Sequence, residues 1–274
     1  MKFAFLGYSL EQNWGAMSKS DQDAMLEDCF TYDSKLMKDG YLIDDGAALQ
    51  PSRKAKTLRW RNGAVVVTDG PFTETKEQLG GIGVLEARDM AHAVELMTKH
   101  PGLHYGATFE IRPIDEESLQ RKTEAVAAIS AGAPSVNPQA TKFASLGYVD
   151  EADWASKSQG DFDAMMKQCI AFDEARVKSG QWLASIGLQS ARSAKTLRAR
   201  AGQVIVTDGP FAETKEFLGG VVVLALEEVN HAVALLSKHP ALPFGVAIEI
   251  RPIDEEVSRR WEAKHGRGKS DQLR

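Results

Sequence analysis

Hydrophobic and polar residues are distributed along the chain in a pattern that predicts both strands and helices. Residues 2–8, KFAFLGY, alternate and are rich in β-favouring side chains, which predicts a strand. Residues 21–40 carry apolar side chains three or four positions apart, which predicts a helix closed by Gly40. Further strands are expected near 41–49, 55–60, 64–68, 81–87 and 106–114, with a second helix at 90–100.

The same pattern occurs twice, because the chain contains an internal duplication. Residues 110–117 read EIRPIDEE, and residues 249–256 read the same. The stretch TDGPFTETKEQLGG at 68–81 returns as TDGPFAETKEFLGG at 207–220, 139 residues later and identical at 12 of 14 positions. We therefore divide the chain into copy one (1–115), a linker rich in Ala, Gly, Ser and Pro (116–140), copy two (141–256) and a polar, frayed tail (257–274).

The predicted order of elements indicates an α+β fold. Each copy reads as strands of an antiparallel sheet with helices on one face, close to a ferredoxin-like unit with extra strands. Such a sheet leaves its other face bare, and two bare faces can bury each other. We therefore expect two tandem ferredoxin-like domains that form an internal pseudo-dimer.

Composition and charge narrow the classes of function. The 274 residues carry 38 acidic and 33 basic side chains, a net charge of −5, which gives no bulk attraction to nucleic acid or to an anionic membrane. The apolar run at 221–226 is far too short for a membrane span. The first residues turn polar too early for a secretory signal, and two cysteines are few for a disulfide scaffold, so we expect a reduced, cytoplasmic protein.

Asp69 and Asp208 are the candidate catalytic residues. Each follows a predicted strand and precedes a Gly-Pro pair, so each begins a turn. The usual donor to such an aspartate is the N–H two residues on, but Pro71 and Pro210 have none. Each carboxylate must therefore accept a hydrogen bond from the N–H of Phe72 or Phe211, or of a later residue, or else face a cavity. Both interpretations stay open: a residue that forms the turn, or a site carboxylate that acts as general base.

Charged residues surround this turn in both copies. A binding role would use them to hold an anionic or polar group of a substrate. The candidates are Glu74, Lys76 and Arg59 in copy one, and Glu213, Lys215 and Arg198 in copy two. The simpler alternative is a solvated surface on which alternating charges offset one another.

Histidines and cysteines do not predict a metal site or a cofactor, because no Cys/His cluster has the spacing of zinc ligands. His100 and His239 each precede a proline at the end of a predicted helix. Cys29 and Cys169 lie among apolar helix positions. A structural role is favoured for all four.

The DGPF, ETKE and LGG segments together resemble the DGPF group of the YCII-related (YciI-like) family. The KF strand with LGY, the ALQ or GLQ before the AKT strand, and the EIRP strand extend the resemblance over nearly all of each copy. The resemblance implies a fold of the dimeric α/β-barrel type, related to ferredoxin. Because both units lie in one chain, we expect a monomeric chain or a weak homo-oligomer.

The resemblance also bears on function. Some members of the wider family are enzymes with a His–Asp pair, one of them a dehydrochlorinase, and others are implicated in binding or regulation. The family Asp maps onto Asp69 and Asp208. The family His maps near Cys29 and Cys169, and neither first helix contains a histidine.

Two hypotheses follow. In the first, the protein is a small-molecule binder or enzyme with an aspartate site at the DGPF loop of each half. In the second, it is a non-catalytic regulatory or interaction protein, connected with sigma-factor-type transcriptional control because DGPF relatives are often encoded beside extracytoplasmic-function sigma factors. The DGPF block would then fix a loop at the internal interface.

Overall fold

A computed structural model of the chain describes residues 1–73, 75–117, 120, 134, 136–137, 139–212 and 214–265. No helix within these ranges is long and apolar enough to cross a membrane. Most of the predicted linker lies outside the described residues. Glu74, Glu213 and the tail from residue 266 also lie outside them.

Copy one contains the predicted elements in the predicted order, and one further helix, α1 (Glu11–Ala16), that its hydrophobic pattern does not predict. The clearest difference is β5, which begins at Gln78 rather than Gly81, so that Gly80 and Gly81 lie inside the strand. Its elements are β1 (Lys2–Ser9), α1 (Glu11–Ala16), α2 (Lys19–Lys38), β2 (Leu42–Ala48), β3 (Lys56–Arg61), β4 (Ala64–Asp69), β5 (Gln78–Glu86), α3 (Met90–Met97) and β6 (Thr108–Pro113).

Copy two repeats this order of elements, as the duplication predicts. They are β7 (Thr141–Asp150), α4 (Glu151–Ala155), α5 (Gln159–Lys178), β8 (Trp182–Gly187), β9 (Lys195–Arg200), β10 (Gln203–Asp208), β11 (Glu216–Leu226), α6 (Val229–Leu236) and β12 (Ala247–Pro252). A further helix, α7 (Glu255–His265), follows β12.

Local sequence sets both ends of the long helix α2. The Ser18 hydroxyl accepts a hydrogen bond from the Asp21 N–H at 3.2 Å, which caps the first turn. Gly40 has φ of +80°, a conformation that an L side chain rarely adopts, and the Tyr41 N–H donates back to the Leu36 carbonyl at 2.8 Å. The predicted closure of this helix by Gly40 is confirmed.

The four main strands of each copy form one antiparallel sheet. In copy one their order is β6, β1, β5, β2, and in copy two it is β12, β7, β11, β8. Together with the two longer helices, each copy is a β-α-β-β-α-β unit of the ferredoxin-like type. The predicted α+β fold of two tandem ferredoxin-like units is confirmed.

The β3–β4 hairpin leaves its own copy and joins the sheet of the other. β3 pairs with β12, with Leu58 opposite Ile248 and Lys56 opposite Ile250. The β9–β10 hairpin likewise joins copy one, through β9 and β6. Each sheet therefore has six strands, four from one copy and two from the other. The sequence pattern predicts the strands of these hairpins but not their exchange.

Each exchanged hairpin is closed by two residues in the left-handed backbone region. Asn62 and Gly63 have φ of 51° and 81°, and Ala201 and Gly202 have φ of 49° and 76°. A two-residue turn with positive φ at both positions matches the twist of the flanking strands. Each hairpin is therefore set locally and crosses to the other copy as a unit.

The two sheets pack face to face, with helices on the outer faces. The exchanged hairpins take part in the outer cores, where Leu197 packs under the helices of copy one and Leu58 under those of copy two. This confirms the prediction that the bare faces bury each other. The core between the sheets includes Ala4, Leu6, Ile82, Val84, Ala144, Leu146, Leu218 and Val221.

The start of the predicted polar tail is an ordered helix. Trp261 of α7 is buried and packs edge-on against Phe30 of α2, with ring centroids 5.2 Å apart. The Arg260 guanidinium donates to the Asp23 carboxylate at 2.6 Å. The expectation of a frayed end is therefore wrong for the part of the tail that lies in α7, because Trp261 and Val257 supply its apolar contact.

We expect Trp261→Ala to lower the free energy of unfolding by about 3 kcal/mol, because it opens a cavity beside Phe30. Urea denaturation followed by far-ultraviolet circular dichroism measures the change. Arg259→Ala, on the exposed face of the same helix, is the control and should change the value by about 0.5 kcal/mol at most. Equal losses in both variants would contradict the packing role of Trp261.

Candidate functional site

The Asp-Gly-Pro-Phe segment begins with an ion pair across the exchanged hairpin. Lys56 lies opposite Asp69 in the strand register, and their side chains form an ion pair. Lys195 and Asp208 form the same pair in copy two. The two aspartate side chains are 85% and 88% exposed, so the pairs contribute little stability.

The glycine of the segment bends the chain away from the hairpin. Gly70 has φ of +94°, which favours glycine, and its N–H donates to the Ala55 carbonyl at 2.9 Å. The Thr57 hydroxyl donates to the Gly70 carbonyl, also at 2.9 Å. Gly209 makes the equivalent bonds in copy two. Both turns are therefore fixed by hydrogen bonds to the N–H and the carbonyl of the glycine rather than by the aspartates.

The phenylalanine of each segment reaches a buried carboxylate of the other copy. The Phe72 N–H donates to Glu249 Oε2 at 2.8 Å, and the Phe211 N–H donates to Glu110 Oε2 at 2.8 Å. Proline before each phenylalanine has no N–H of its own. The first N–H available after the turn is therefore donated to a glutamate of the other copy, and not to the aspartate.

Each of these glutamates also binds an arginine two residues further along its strand. The Arg112 guanidinium pairs with Glu110, and the Arg251 guanidinium pairs with Glu249, where Nε donates at 2.8 Å. All four side chains are at most 2% exposed. Two buried positive and two buried negative groups balance, which a low-dielectric interior requires.

The arginines then cross from one sheet to the other. Arg112 Nη1 donates to the Leu218 carbonyl at 2.5 Å, and Arg251 Nη1 donates to the Leu79 carbonyl at 3.0 Å. The strand register shifts beside both leucines, at the Gly-Gly pair of each repeated block. The irregular backbone that these glycines permit thus lies where an arginine of the opposite sheet contacts the strand.

Aromatic stacking completes the contact between the copies. The Phe72 ring stacks on Tyr148 with centroids 4.2 Å apart, and the Phe211 ring stacks on Tyr8 with centroids 4.1 Å apart. The Arg59 guanidinium lies 4.2 Å from the Phe72 centroid. Each DGPF loop is therefore held by its phenylalanine, through both its N–H and its ring.

Arg59 and Arg198, two of the predicted binding residues, each contact the DGPF loop of their own copy and a glutamate of the other copy. Arg59 Nη1 lies 3.4 Å from a Glu216 oxygen, and Arg198 Nη2 lies 3.9 Å from a Glu77 oxygen. Arg198 also donates to the Phe211 carbonyl at 3.2 Å. These arginines are about one-third exposed. The structure thus places both arginines beside the DGPF loops, and their binding role stays a prediction.

A small cavity of about 50 Å³ lies between the two copies. Asp69, Asp208, Lys76 and Lys215 are not among its lining residues, and both lysines are exposed. Six pairs of equivalent residues from the two copies line it, so it lies near the pseudo-twofold axis, while Arg112, Pro210, Phe211 and Glu216 line it without their counterparts. The pairs are Tyr8 and Tyr148, Glu110 and Glu249, Leu79 and Leu218, Thr75 and Thr214, Thr73 and Ala212, and Gln78 and Phe217.

The only two differences within the repeated block both line this cavity. Thr73 of copy one is replaced by Ala212, and Gln78 is replaced by Phe217. The Gln78 amide donates to the carbonyls of Thr73 and Thr75 at 2.9 and 2.7 Å, which ties down its own loop. Phenylalanine cannot make these bonds, so at this pair of positions copy one presents a polar side chain and copy two an apolar one.

The tyrosines of the cavity have hydroxyl groups that stay protonated. Burial raises the pKa of Tyr8 and of Tyr148 above the ordinary value of 10.0. The nearby carboxylates of Glu110 and Glu249 raise both further. At neutral pH both residues therefore present neutral O–H groups, which can donate hydrogen bonds.

The structure thus adds residues that the sequence analysis did not select. Tyr8, Tyr148 and the two Glu-x-Arg pairs of the EIRP strands form the interior of the interface. The signal that could have found the pairs is the unchanged EIRPIDEE repeat, with two charges on one face of an otherwise apolar strand. The catalytic role of Asp69 and Asp208 stays a prediction.

The predicted structural role of His100 fits its surroundings. His100 is 5% exposed, its Nδ1 accepts from the Gly102 N–H at 3.0 Å, and its Nε2 lies 3.3 Å from Asp33. Cys29 has a pKa raised to about 12, mainly by burial, so it stays a thiol. Among the described residues, no three His, Cys, Asp or Glu side chains are arranged to hold a metal ion.

We expect Glu249→Gln to lower the free energy of unfolding by about 3 kcal/mol, because it leaves the buried Arg251 charge uncompensated. Equilibrium urea denaturation checks this value. Asp69→Asn removes an exposed pair and should change stability by about 0.5 kcal/mol or less. A larger loss in Asp69→Asn than in Glu249→Gln would show that the aspartate, not the buried pair, holds the loop.

We expect stability to fall as pH rises above about 10, because folding raises the pKa of Tyr8 and Tyr148 and the unfolded chain then releases protons that the native state keeps. The Tyr8→Phe/Tyr148→Phe variant should lose less stability than the wild type between neutral pH and about pH 11. Urea midpoints across this range give the comparison. Equal losses of stability in the variant and in the wild type would show that these two tyrosines do not cause the pH dependence.

Comparison with known proteins gives one sequence relative and several distant structures. Over 118 residues the chain is 32% identical to an uncharacterized protein of Rhizobium meliloti (strain 1021), covering 42% of this chain and 92% of that protein. The putative chlorite dismutase TA0507 matches with 11% identity and a TM-score of 0.44, covering 95% of this chain and 98% of that one.

Chlorite dismutase from Candidatus Nitrospira defluvii matches at a similar level. Its identity is 8% and its TM-score 0.43, covering 95% of this chain and 94% of that one. Structural similarity of this size supports no inference about the present chain. The fold assignment rests instead on the order of strands within each sheet.

The family assignment rests on the sequence of both copies. A family model of the YCII-related domain matches residues 1–118 and again residues 142–256. The two matches leave out mainly the linker and the C-terminal segment that contains α7. The resemblance inferred from the DGPF, ETKE and EIRP segments is confirmed. The chain therefore belongs to the YCII-related domain family and contains that domain twice in tandem.

Proposed function

We propose that the protein binds a small molecule in the cavity between its two copies that is described above. The observation that carries the proposal is the divergence of the repeated block at Thr73/Ala212 and Gln78/Phe217, two pairs that line the same cavity. The other twelve positions of the block have the same residue in both copies. The two positions that differ are those that would touch a shared ligand.

The groups in the cavity favour an uncharged ligand. The buried charges of Glu110, Arg112, Glu249 and Arg251 already balance, so a further unpaired charge would be costly to bury. The neutral hydroxyls of the tyrosines and the remaining lone pairs of the glutamates offer both donors and acceptors. A ligand such as a small alcohol or carboxamide would match them.

Size and polarity restrict the ligand further. About 50 Å³ has room for roughly three to five water-sized groups. One end of the cavity has the hydroxyl of Thr73 and the amide of Gln78, and the other has Ala212 and Phe217. The ligand would therefore lie with a polar group toward copy one and a short apolar group toward copy two.

We expect small neutral amides and alcohols, such as propionamide and 1-propanol, to shift backbone amide NMR signals of the DGPF loops. The acetate and propionate ions should cause much smaller shifts, because they add a negative charge beside two glutamates. Titration of the isotope-labelled full chain gives the affinities. The absence of shifts with every neutral compound at millimolar concentration would contradict the proposal.

Two variants locate the binding site. Ala212→Thr/Phe217→Gln makes the two blocks identical. It should lower the affinity for 1-propanol several-fold, because the apolar side chains at these two positions are lost. Asp69→Asn/Asp208→Asn changes residues that do not line the cavity, so the affinities for propionamide and for 1-propanol should stay unchanged. Loss of binding only in the aspartate variant would instead support the predicted aspartate site at each DGPF loop.

A non-catalytic interaction protein is the second candidate. A specific observation favours it, because the exchanged hairpins carry a concentration of exposed apolar side chains. The connection with sigma-factor-type control stays a prediction that the resemblance alone suggests.

A further inference from the structure

Two ion pairs, related by the pseudo-twofold axis, link the regions of the two DGPF loops. Arg59 of copy one lies over the ring of Phe72, 4.2 Å from its centroid, and its Nη1 lies 3.4 Å from a Glu216 oxygen of copy two. Arg198 of copy two lies beside its own loop in the same way, and its Nη2 lies 3.9 Å from a Glu77 oxygen of copy one. Each arginine therefore connects one loop to the glutamate that follows the other.

The two glutamates of these pairs are held differently. Glu77 Oε1 accepts a hydrogen bond from the Thr108 hydroxyl at 3.1 Å. The equivalent of Thr108 in copy two is Ala247, which has no hydroxyl. The hydrogen bonds of the Glu216 carboxylate to Arg59 measure 3.4 and 3.5 Å, longer than the usual range of about 2.7–3.2 Å. A second, firmer hydrogen bond thus fixes Glu77, and the group that makes it is missing beside Glu216.

The cavity between the copies extends to the second of these glutamates. Glu216 lines the cavity, whereas the equivalent glutamate of copy one does not. The other charged residues of the lining, Glu110, Arg112 and Glu249, are at most 2% exposed, but the Glu216 side chain is 30% exposed. Glu216 therefore contacts both the cavity and solvent, and its ion pair lies where the two meet.

The loop before Glu216 also differs from its counterpart in its hydrogen bonds. The Gln78 amide donates to two carbonyls of its own loop, at 2.9 and 2.7 Å, and Phe217 at the equivalent position cannot do so. The other end of the copy-two loop is held, because the Phe211 carbonyl accepts from Arg198 at 3.2 Å. Movement of this loop is therefore easiest at its Glu216 end.

We infer that the Arg59–Glu216 ion pair is the gate of the cavity, past which a ligand enters and leaves when the pair separates. The inference rests on the proposed function, because it concerns access to the same cavity. Separation costs little, since both side chains are about one-third exposed and water solvates them once they part. The equivalent pair of Arg198 and Glu77 stays in place, because Glu77 keeps its bond to Thr108.

The test measures the rate constants of 1-propanol binding by NMR relaxation dispersion on the isotope-labelled full chain. We expect Glu216→Gln to raise the association and dissociation rate constants together several-fold, because the ion pair is lost. The affinity, which is their ratio, should change much less, because glutamine keeps the size of the side chain. Glu77→Gln is the matched control: its amide oxygen can still accept from Thr108, so both rate constants should equal those of the wild type.

A second variant separates the gate from the lining of the cavity. Arg59→Met removes the cation without changing a lining residue, and it should accelerate exchange as Glu216→Gln does. Added KCl should also accelerate exchange in the wild type, because salt screens a partly exposed ion pair. It should have little effect in Glu216→Gln, in which the pair is already absent. Backbone NMR spectra of each unliganded variant check that the fold is retained.

The outcomes distinguish the gate from the binding site. Binding of 1-propanol with unchanged rate constants in Glu216→Gln and in Arg59→Met would overturn the gate and leave the cavity as the binding site. Equal acceleration in Glu77→Gln would overturn it as well, because the two pairs would then be equivalent. The absence of binding by every neutral compound would overturn the proposed function, and this inference with it.

Discussion

The buried carboxylates of Glu110 and Glu249 are the groups on which the rest of the interface depends. Each carboxylate binds an arginine of its own strand and the backbone N–H of a phenylalanine from the other copy. A carboxylate buried to this degree must be paired and hydrogen-bonded. This requirement fixes the DGPF loop of one copy against the sheet of the other, and the aromatic stacks and the walls of the cavity follow from that position.

The sequence predicts those features of the fold that a local pattern of residues determines. Alternation, helical spacing and turn residues indicate the strands, the long helices and the closure of α2 by Gly40. The duplication predicts two sheets that bury each other. The exchange of hairpins could not be predicted, because the alternation in β3 shows which face is buried but not which strand lies beside it. The docking of α7 depends on Trp261 and Val257, two apolar residues within a polar stretch.

The candidate site is predicted only in part, for a related physical reason. Asp69 is prominent in the sequence because it precedes Gly-Pro, but a turn residue at the end of an edge hairpin faces solvent. Glu110 and Arg112 are less prominent because they lie in a strand that reads as core. Their burial depends on the facing sheet, which comes from the other half of the chain.

Fusion of two units also lets residues on the pseudo-twofold axis differ, as Gln78 and Phe217 do, whereas two identical subunits would have to share them.

The hairpin exchange has a consequence for how the protein is made on the ribosome. β3 pairs with β12 across about 190 residues, so the first hairpin waits until almost the entire polypeptide has been translated. Meanwhile β6 exposes the edge that β9 will later occupy. Neither half is a complete folding unit, although each is a complete unit of sequence. The gene encodes the domain twice, but the polypeptide must fold as one body.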